Sequence, residues 1–163
     1  MSENMYLRPA KLADVKLFFD WVNEPAVRKN SFNTDNISWE EHLSWFQAAL
    51  GNSNIRIFVL IVNDIPVGQI RLNKKEYWQI SYSIAPAYRG RGYGRIMLQL
   101  AENELIVSEH IGEKLLAEVK SDNIASQRIF TRLGYREVES QRDNAYAYVK
   151  VVAQEMYKNN VQE

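Results

Sequence analysis

Three glycines and three arginines crowd into seven consecutive positions, Arg89-Gly90-Arg91-Gly92-Tyr93-Gly94-Arg95, soon after the strand-like run ending at Ile84 and just beyond Pro86. Arginine offers charge and a fork of donors to oxyanions, and glycine lets a backbone come close to what those donors hold. Met97, Leu98, Ala101 and Leu105 follow with helical spacing, so the glycines stand at a helix start. Successive N–H groups there lack partners and carry partial positive charge, which suits a pyrophosphate. The same residues also fit a turn with solvated arginines. The loop has no Walker lysine followed by Ser or Thr and closes a run of strands rather than opening a βαβ unit, so the common nucleotide motifs fit poorly.

The elements that must position this loop follow from alternating periods. Met5 to Arg8 reads as a short strand, and Leu12, Val15, Phe19 and Val22 form one apolar helix face that ends at the Asn23-Glu24-Pro25 breaker. A polar loop to about Ile37 is expected next. Ser38 and Glu41 have capping-box spacing before Trp39, Leu43, Phe46 and Leu50, and Gly51 closes that helix. Ile55 to Val62 is apolar on both faces, Asn63-Asp64 is a hairpin signal, and Ile65 to Leu72 and Tyr77 to Ile84 read as further strands. After the glycine loop and a helix to about Val107 come a strand from Leu115 to Lys120, a helix from about Asn123 to Leu133 closed by Gly134, and strands near Arg136 to Glu139 and Tyr146 to Val152. The order β-α-α-β-β-β-α-β-α-β-β makes an α/β layer fold with a mixed sheet.

Composition narrows the function. With 163 residues the chain is expected to be a single domain over 1–163, and 20 Lys+Arg against 20 Asp+Glu leaves no basic stripe for nucleic acid. The absence of cysteine excludes a disulfide scaffold, thiolate zinc and a cysteine nucleophile, and two unclustered histidines argue against a metal site. No apolar run approaches the ~20 residues that span a bilayer, so no membrane partner is expected and a cytoplasmic location is.

The loop resembles the acetyl-CoA signature of the GNAT superfamily of N-acetyltransferases, Arg/Gln-x-x-Gly-x-Gly/Ala, through Arg89, Gly92 and Gly94. Glu118-Val-Lys-Ser-Asp-Asn123, then Ser126, then Leu133-Gly134-Tyr135 resembles the later part of the same pattern, and the element order agrees over nearly the whole chain. The resemblance implies a sheet of about seven strands with about four helices on both faces, splayed between the strands ending at Ile84 and Lys120. It implies acetyl-CoA as cosubstrate, held by backbone groups near Ser83 and Ile84, by Arg89, Gly90, Arg91, Gly92, Tyr93, Gly94 and Arg95, and by Asn123, Ser126 and Phe130. One of the N–H groups near Ile84 would hold the thioester oxygen as charge develops. Asn123 also fits plain helix capping beside Asp122.

Acetyl transfer to nitrogen needs a neutral amine, and a lysine-like amine has a pKa of about 10.4. Glu118 matches a general-base glutamate of ribosomal-protein acetyltransferases in this superfamily, with a strand glutamate paired to Lys120 or Lys150 as the alternative. Glu76 is the second candidate base. Phe130 stands where many members place a tyrosine acid, so Tyr82, Ser83, Tyr146 and Tyr148 are candidate donors to the leaving thiolate, unless it leaves without one.

Acceptor residues are sought in the amino-terminal half. The Trp-x-Asn, Val-Arg and Asn-Ser order, then Glu-His-x-x-Trp, resembles bacterial members that acetylate nucleotide-linked amino sugars; Trp21, Arg28, Asn30 and Ser31 are the implied substrate contacts. Trp21, Trp39 and Trp45 equally fit a core, and His42 a structural role. Three function classes follow: an amino-sugar N-acetyltransferase acting on a small-molecule amine, a peptide or protein amino-terminal acetyltransferase, and a noncatalytic acyl-CoA-binding module. A homodimer is compatible with each.

Overall fold

The computed structural model describes residues 3–153. Seven strands form one sheet in the order β1-β2-β3-β4-β5-β7-β6, with β1 at Met5–Pro9, β2 at Ile55–Val62, β3 at Ile65–Lys74, β4 at Trp78–Ile84, β5 at Lys114–Lys120, β6 at Arg136–Val138 and β7 at Ala145–Val151. All neighbours are antiparallel except β4 and β5. The helices are α1 (Val15–Val22), α2 (Pro25–Asn30), α3 (Trp39–Leu50), α4 (Tyr93–Val107) and α5 (Ile124–Arg132).

Strand β2 explains the two-layer core. Its Phe58, Leu60 and Val62 pack with Met97, Leu98 and Leu105 of α4 and Phe130 of α5, while Ile57, Val59 and Ile61 pack with Phe18 and Trp21 of α1 and Phe46 of α3. Burial on both faces removes the alternation a half-exposed strand would show. Asn63 and Asp64 both take positive φ, at 48° and 67°, as the tight turn into β3 requires.

Five helices stand where four were expected. The segment expected as a polar loop holds α2, because the residues that stop α1 also start the next helix. Glu24 accepts hydrogen bonds from Ala26 N (3.3 Å) and Val27 N (3.2 Å), and Pro25, which needs no N–H partner, occupies the first helical position. Ser38 caps α3 by accepting from Glu41 N at 3.2 Å. Among the described residues no helix is long and apolar enough to cross a membrane.

The parallel pair β4 and β5 determines the site. Only Trp78↔Leu115 and Gln79↔Leu116 are paired, and from there to Ile84 and Lys120 the strands diverge, leaving a wedge open through the sheet.

Candidate active site

The register of β3 against β4 decides which backbone groups face the wedge. Ala85 N donates to Val67 O at 2.8 Å, so Ala85, Ser83 and Ser81 direct their peptide groups at β3, and Ile84 and Tyr82 direct theirs into the gap. Ile84 O already accepts from Arg89 Nε at 3.0 Å, which leaves its N–H as the donor at the mouth. Ser83 does not share this role: its peptide turns to β3 and its hydroxyl accepts from Gln69 Nε2 at 3.1 Å.

Directly above the wedge lies the start of α4. Gly92 is the cap residue at φ 82°, no side chain caps the helix, and a Cβ built on Gly90 or Gly92 would meet nothing within 4 Å. The first N–H groups of α4 therefore open onto free space. Gly94 is glycine for a different reason: a Cβ there would come within 3.1 Å of Ile129 Cδ1 and 3.6 Å of Tyr82 Cε2, so α4 sits as close to α5 and β4 as backbone allows. Arg91 and Arg95 are exposed, the former 5.6 Å from the centre of the Tyr88 ring.

Across the wedge, Asn123 caps α5 by accepting from Ser126 N at 3.3 Å, and Ser126 Oγ meets the Tyr82 hydroxyl at 2.5 Å, joining the two lips. Burial raises the pKa of Tyr82 and outweighs the opposing effect of Ser126, so the phenol keeps its proton at neutral pH.

On the opposite face of the sheet, Glu118 lies on β5 beside the wedge. Arg142 Nε stands 2.8 Å from Glu118 Oε2, yet off the direction of its N–H, so this buried oxygen accepts no hydrogen bond among the described residues. Neither lysine considered as its partner pairs with it: Lys150 Nζ lies 3.3 Å from Glu102, and Lys120 Nζ donates to Lys29 O at 2.9 Å. The Arg142 guanidinium in turn covers Phe32 at 4.2 Å, which roofs the cleft with the segment between α2 and α3. Next to Glu118, a concavity of about 280 Å³ opens between Tyr77, Leu116, Arg136, Val138 and Val149.

The acetyltransferase (GNAT) domain profile matches residues 4–136. The chain belongs to the GNAT acetyltransferase family. A protein of Methanocaldococcus jannaschii is 26% identical over 141 residues, 83% of this chain, and this chain spans 28% of that protein's length. Among solved structures, a domain from the same organism superposes with a TM-score of 0.81 at 22% identity, covering 92% of this chain and 99% of the other. A ribosomal L7/L12 α-N-protein acetyltransferase in complex with coenzyme A gives 0.76 at 15% identity over 90% and 93% of the two chains. An aminoglycoside acetyltransferase in complex with coenzyme A gives 0.77 at 13% over 97% and 99%. These likenesses establish the fold.

Several residues of this GNAT domain have other tasks than those expected of them. Arg28 is buried and its guanidinium is occupied by Val22 O, Asn33 O, Asp35 O and Ser31 Oγ, so it organises the segment after α2 and has no fork left for a substrate diphosphate. Ser31 is consumed by Arg28 and by Val27 O. Trp21 belongs to the α1–α3 core. Phe130 is 1% exposed and sealed between Tyr82, Tyr135 and Tyr148, so it supports the α5 wall instead of touching a ligand. The Tyr93 side chain is buried and donates to Glu3 Oε1 at 2.9 Å, which leaves only its N–H for the loop. Arg89 holds Ile84 O and, at 2.7 Å, Glu24 Oε2, and acts first as a brace. Glu76 is exposed in the turn before β4, at the paired end of the wedge and roughly 16 Å along the strand from Ser81. Asn30 is exposed at the end of α2.

Sequence reasoning missed Arg71 and Arg142. Arg71 lies in a strand, where an arginine reads as solvated, and Arg142 lies in a polar hairpin; only the register and the roof reveal that both face the cleft.

Proposed function

We propose that this protein is an acetyl-CoA-dependent N-acetyltransferase that transfers the acetyl group directly to a primary amine, with a nucleotide-linked amino sugar as acceptor. The observation that carries the reaction type is the Glu118 carboxylate oxygen, buried at the wedge without a hydrogen bond. The same oxygen is ion-paired with the exposed Arg142 guanidinium at 2.8 Å, so an acceptor ammonium that takes the place of Arg142 meets a base, which accepts the proton and leaves the amine nucleophilic.

The residues present fit the cosubstrate. The open N–H groups of α4, with Arg91 and Arg95 nearby, suit a pyrophosphate, and the wedge lined by Ile84, Tyr82 and Asn123 suits an extended arm. The thioester supplies the acetyl group. Ile84 N–H donates to the carbonyl oxygen as negative charge builds on it, a preorganised dipole in place of mobile water. The Tyr82 hydroxyl, steadied by Ser126 and kept protonated by burial, is the donor on the departing-sulfur side. It supplies the function that a phenyl ring at position 130 cannot.

The acceptor class rests on the cleft around Glu118. Phe32, Tyr77, Lys120, Arg136 and Arg142 stand around it beside two carboxylates, Glu118 and Glu139. Aromatic faces with more cations than carboxylates favour rings joined by a diphosphate over a polyamine-like acceptor. The experiment is a coenzyme A release assay with nucleotide-linked amino sugars, peptides with free amino termini, and polyamines as acceptors. Turnover of the nucleotide-linked amino sugars, abolished by Gly92→Asp through loss of acetyl-CoA affinity, is the expected result. Turnover of peptides alone would transfer the assignment to amino-terminal acetylation.

A further inference from the structure

Among the described lysines and arginines that are not exposed, all but Arg71 have a hydrogen-bonding or ion-pair partner, Arg28, Arg56 and Lys120 through neutral oxygens. Arg8 pairs with Asp14, Lys16 with Asp20, Lys74 with Glu113, Arg89 with Glu24, Arg142 with Glu118 and Lys150 with Glu102. Arg71 stands apart. It is half-buried in β3, and among the described residues it has neither a hydrogen bond nor an ion pair; its guanidinium lies only against the Trp45 ring of α3, 4.9 Å from the centre. Burial lowers its pKa, the mark of a cation that has lost water and gained no counter-charge.

Register places this cation in the acceptor cleft. Arg71 is directly opposite Ser81 on β4, and the pair Gln79↔Leu116 sets Ser81 level with Glu118 across the wedge. Paired residues share a face, so Arg71, Ser81 and Glu118 form one row on the side roofed by Phe32 and Arg142. The row spans two strand spacings, roughly 10 Å before the splay is added. Gln69 and Ser83, hydrogen bonded to each other, form a neutral polar row beside it.

We propose that Arg71, with its guanidinium plane backed by Trp45, is the anion-binding residue of the acceptor site, taking an oxyanion of a phosphate or carboxylate group that lies beyond Ser81 from the reacting amine. The acceptor is thus an anionic amine. The inference rests on the N-acetyltransferase reading of this cleft, and a nucleotide-linked amino sugar is one acceptor that satisfies it. A guanidinium fork engages such a group through two parallel hydrogen bonds, and a lysine would keep the charge but lose the fork.

The test uses the full chain as wild type, Arg71→Met and Arg71→Lys, with thermal melting to establish that each is folded. Since Arg71 has no hydrogen bond or ion pair to lose, only its contact with the Trp45 ring, both variants should melt close to the wild-type temperature. Acceptors are a nucleotide-linked amino sugar, an amino-sugar phosphate, an amino acid carboxylate, the uncharged amino sugar, and spermidine. In Arg71→Met, kcat/KM for the anionic acceptors should fall roughly 10- to 100-fold relative to that for the uncharged sugar, the range of a charged hydrogen-bonded contact, with Arg71→Lys between. The KM for acetyl-CoA should change less than about twofold, because the loop at α4 is remote from Arg71. The phosphate and carboxylate arms tell which oxyanion is taken. Should turnover be too slow to measure, calorimetric binding of the same compounds reads the same ratio.

If nucleotide-linked sugars fail while another anionic amine is acetylated in an Arg71-dependent way, the inference stands and the narrower acceptor assignment falls. If Arg71→Met handles the nucleotide-linked sugar like wild type, Arg71 is not the anion site although that acceptor is right. A preference for spermidine, or an equal loss on charged and uncharged acceptors, or no binding of any anionic amine at millimolar concentration, overturns the inference.

Discussion

Gly68 is where the position of the proposed oxyanion donor, the Ile84 N–H, can be tested by a single methyl group. It sits opposite Ile84, and a Cβ built there would come within 2.7 Å of Ile84 Cδ1 and 2.8 Å of Ser83 O. Carbon contacts are comfortable at about 3.5–4.0 Å, so the overlap is close to an ångström. Ile84 can turn its side chain away, but Ser83 O belongs to the strand, and β4 itself must move. Gly68→Ala should cost about 1–3 kcal/mol of overpacking, offset by about 0.4–1 kcal/mol from the stiffer unfolded chain. The net loss of about 1–2 kcal/mol corresponds to a melting temperature lower by about 2–8 °C for a chain of this size. The larger effect should appear in turnover. A displacement of about 1 Å at a positioned group can cost about 100-fold in rate, and the group displaced is the Ile84 N–H that faces the wedge. Calorimetric melting beside steady-state kinetics separates the two effects: kcat should fall by well over tenfold in a protein that remains mostly folded at 25 °C. Wild-type melting with wild-type kcat would refute the reasoning, since β4 would then have absorbed the methyl group without consequence for the donor.

Other outcomes follow from single contacts. Glu118→Gln should retain acetyl-CoA affinity and lose about 100- to 10,000-fold in kcat; full turnover would assign the base elsewhere. Lys150→Met strands the buried Glu102 carboxylate and should destabilise by about 3–5 kcal/mol, most of it regained in the Glu102→Gln/Lys150→Met double variant, whereas unchanged melting would show the pair to be idle. His42 is buried with Nε2 2.9 Å from Val15 O, and burial lowers its pKa despite that carbonyl. The unfolded chain therefore takes up the proton first, and stability should decline as pH falls below about 6.5, by at most about 1.4 kcal/mol per unit. Denaturant titrations from pH 7 to 5 should show this slope in the wild type and a flatter one in His42→Gln; parallel curves would contradict it.

Much of this fold was legible because long periodic segments carry their own signal. The doubly apolar β2, the capped α3 and the glycine-rich start of α4 were readable from residue types and spacing, and the resemblance carried by Arg89, Gly92 and Gly94 pointed to the family. The short α2 was not legible, since six residues offer less than two full turns of periodicity and its start coincides with the stop of α1. The two proposed halves of the site differ in how local they are. The N–H groups at the α4 start belong to one segment, whereas the proposed acceptor cleft is assembled from β3, β5 and two connections far apart in sequence. Arg28 looked like an exposed donor because nothing in a local window reveals four oxygens converging on it. Arg71 was invisible for the converse reason, since a lone cation within a strand discloses its face only through register.

The wedge divides the chain along the same line as the sheet. β1 through β4, with α1 to α4, come from residues 5–107, and β5 through β7, with α5, come from 114–151. Each part is an antiparallel block continuous in sequence, and the seam between them holds two backbone pairs, reinforced by Trp78 Nε1 donating to Glu113 Oε2 at 2.9 Å and by Tyr82 against Ser126. The side chains beneath the sheet do not follow that division: Leu115, Val119, Phe130 and Tyr148 of the second block share one core with Leu60, Ile70 and Met97 of the first, and Lys150 reaches across to the buried Glu102. The backbone is interrupted where the packing is continuous. The width of the slot is therefore set by the side chains of α4 and α5 under it and not by strand pairing, as a gap between two planks is fixed by the joist to which both are nailed.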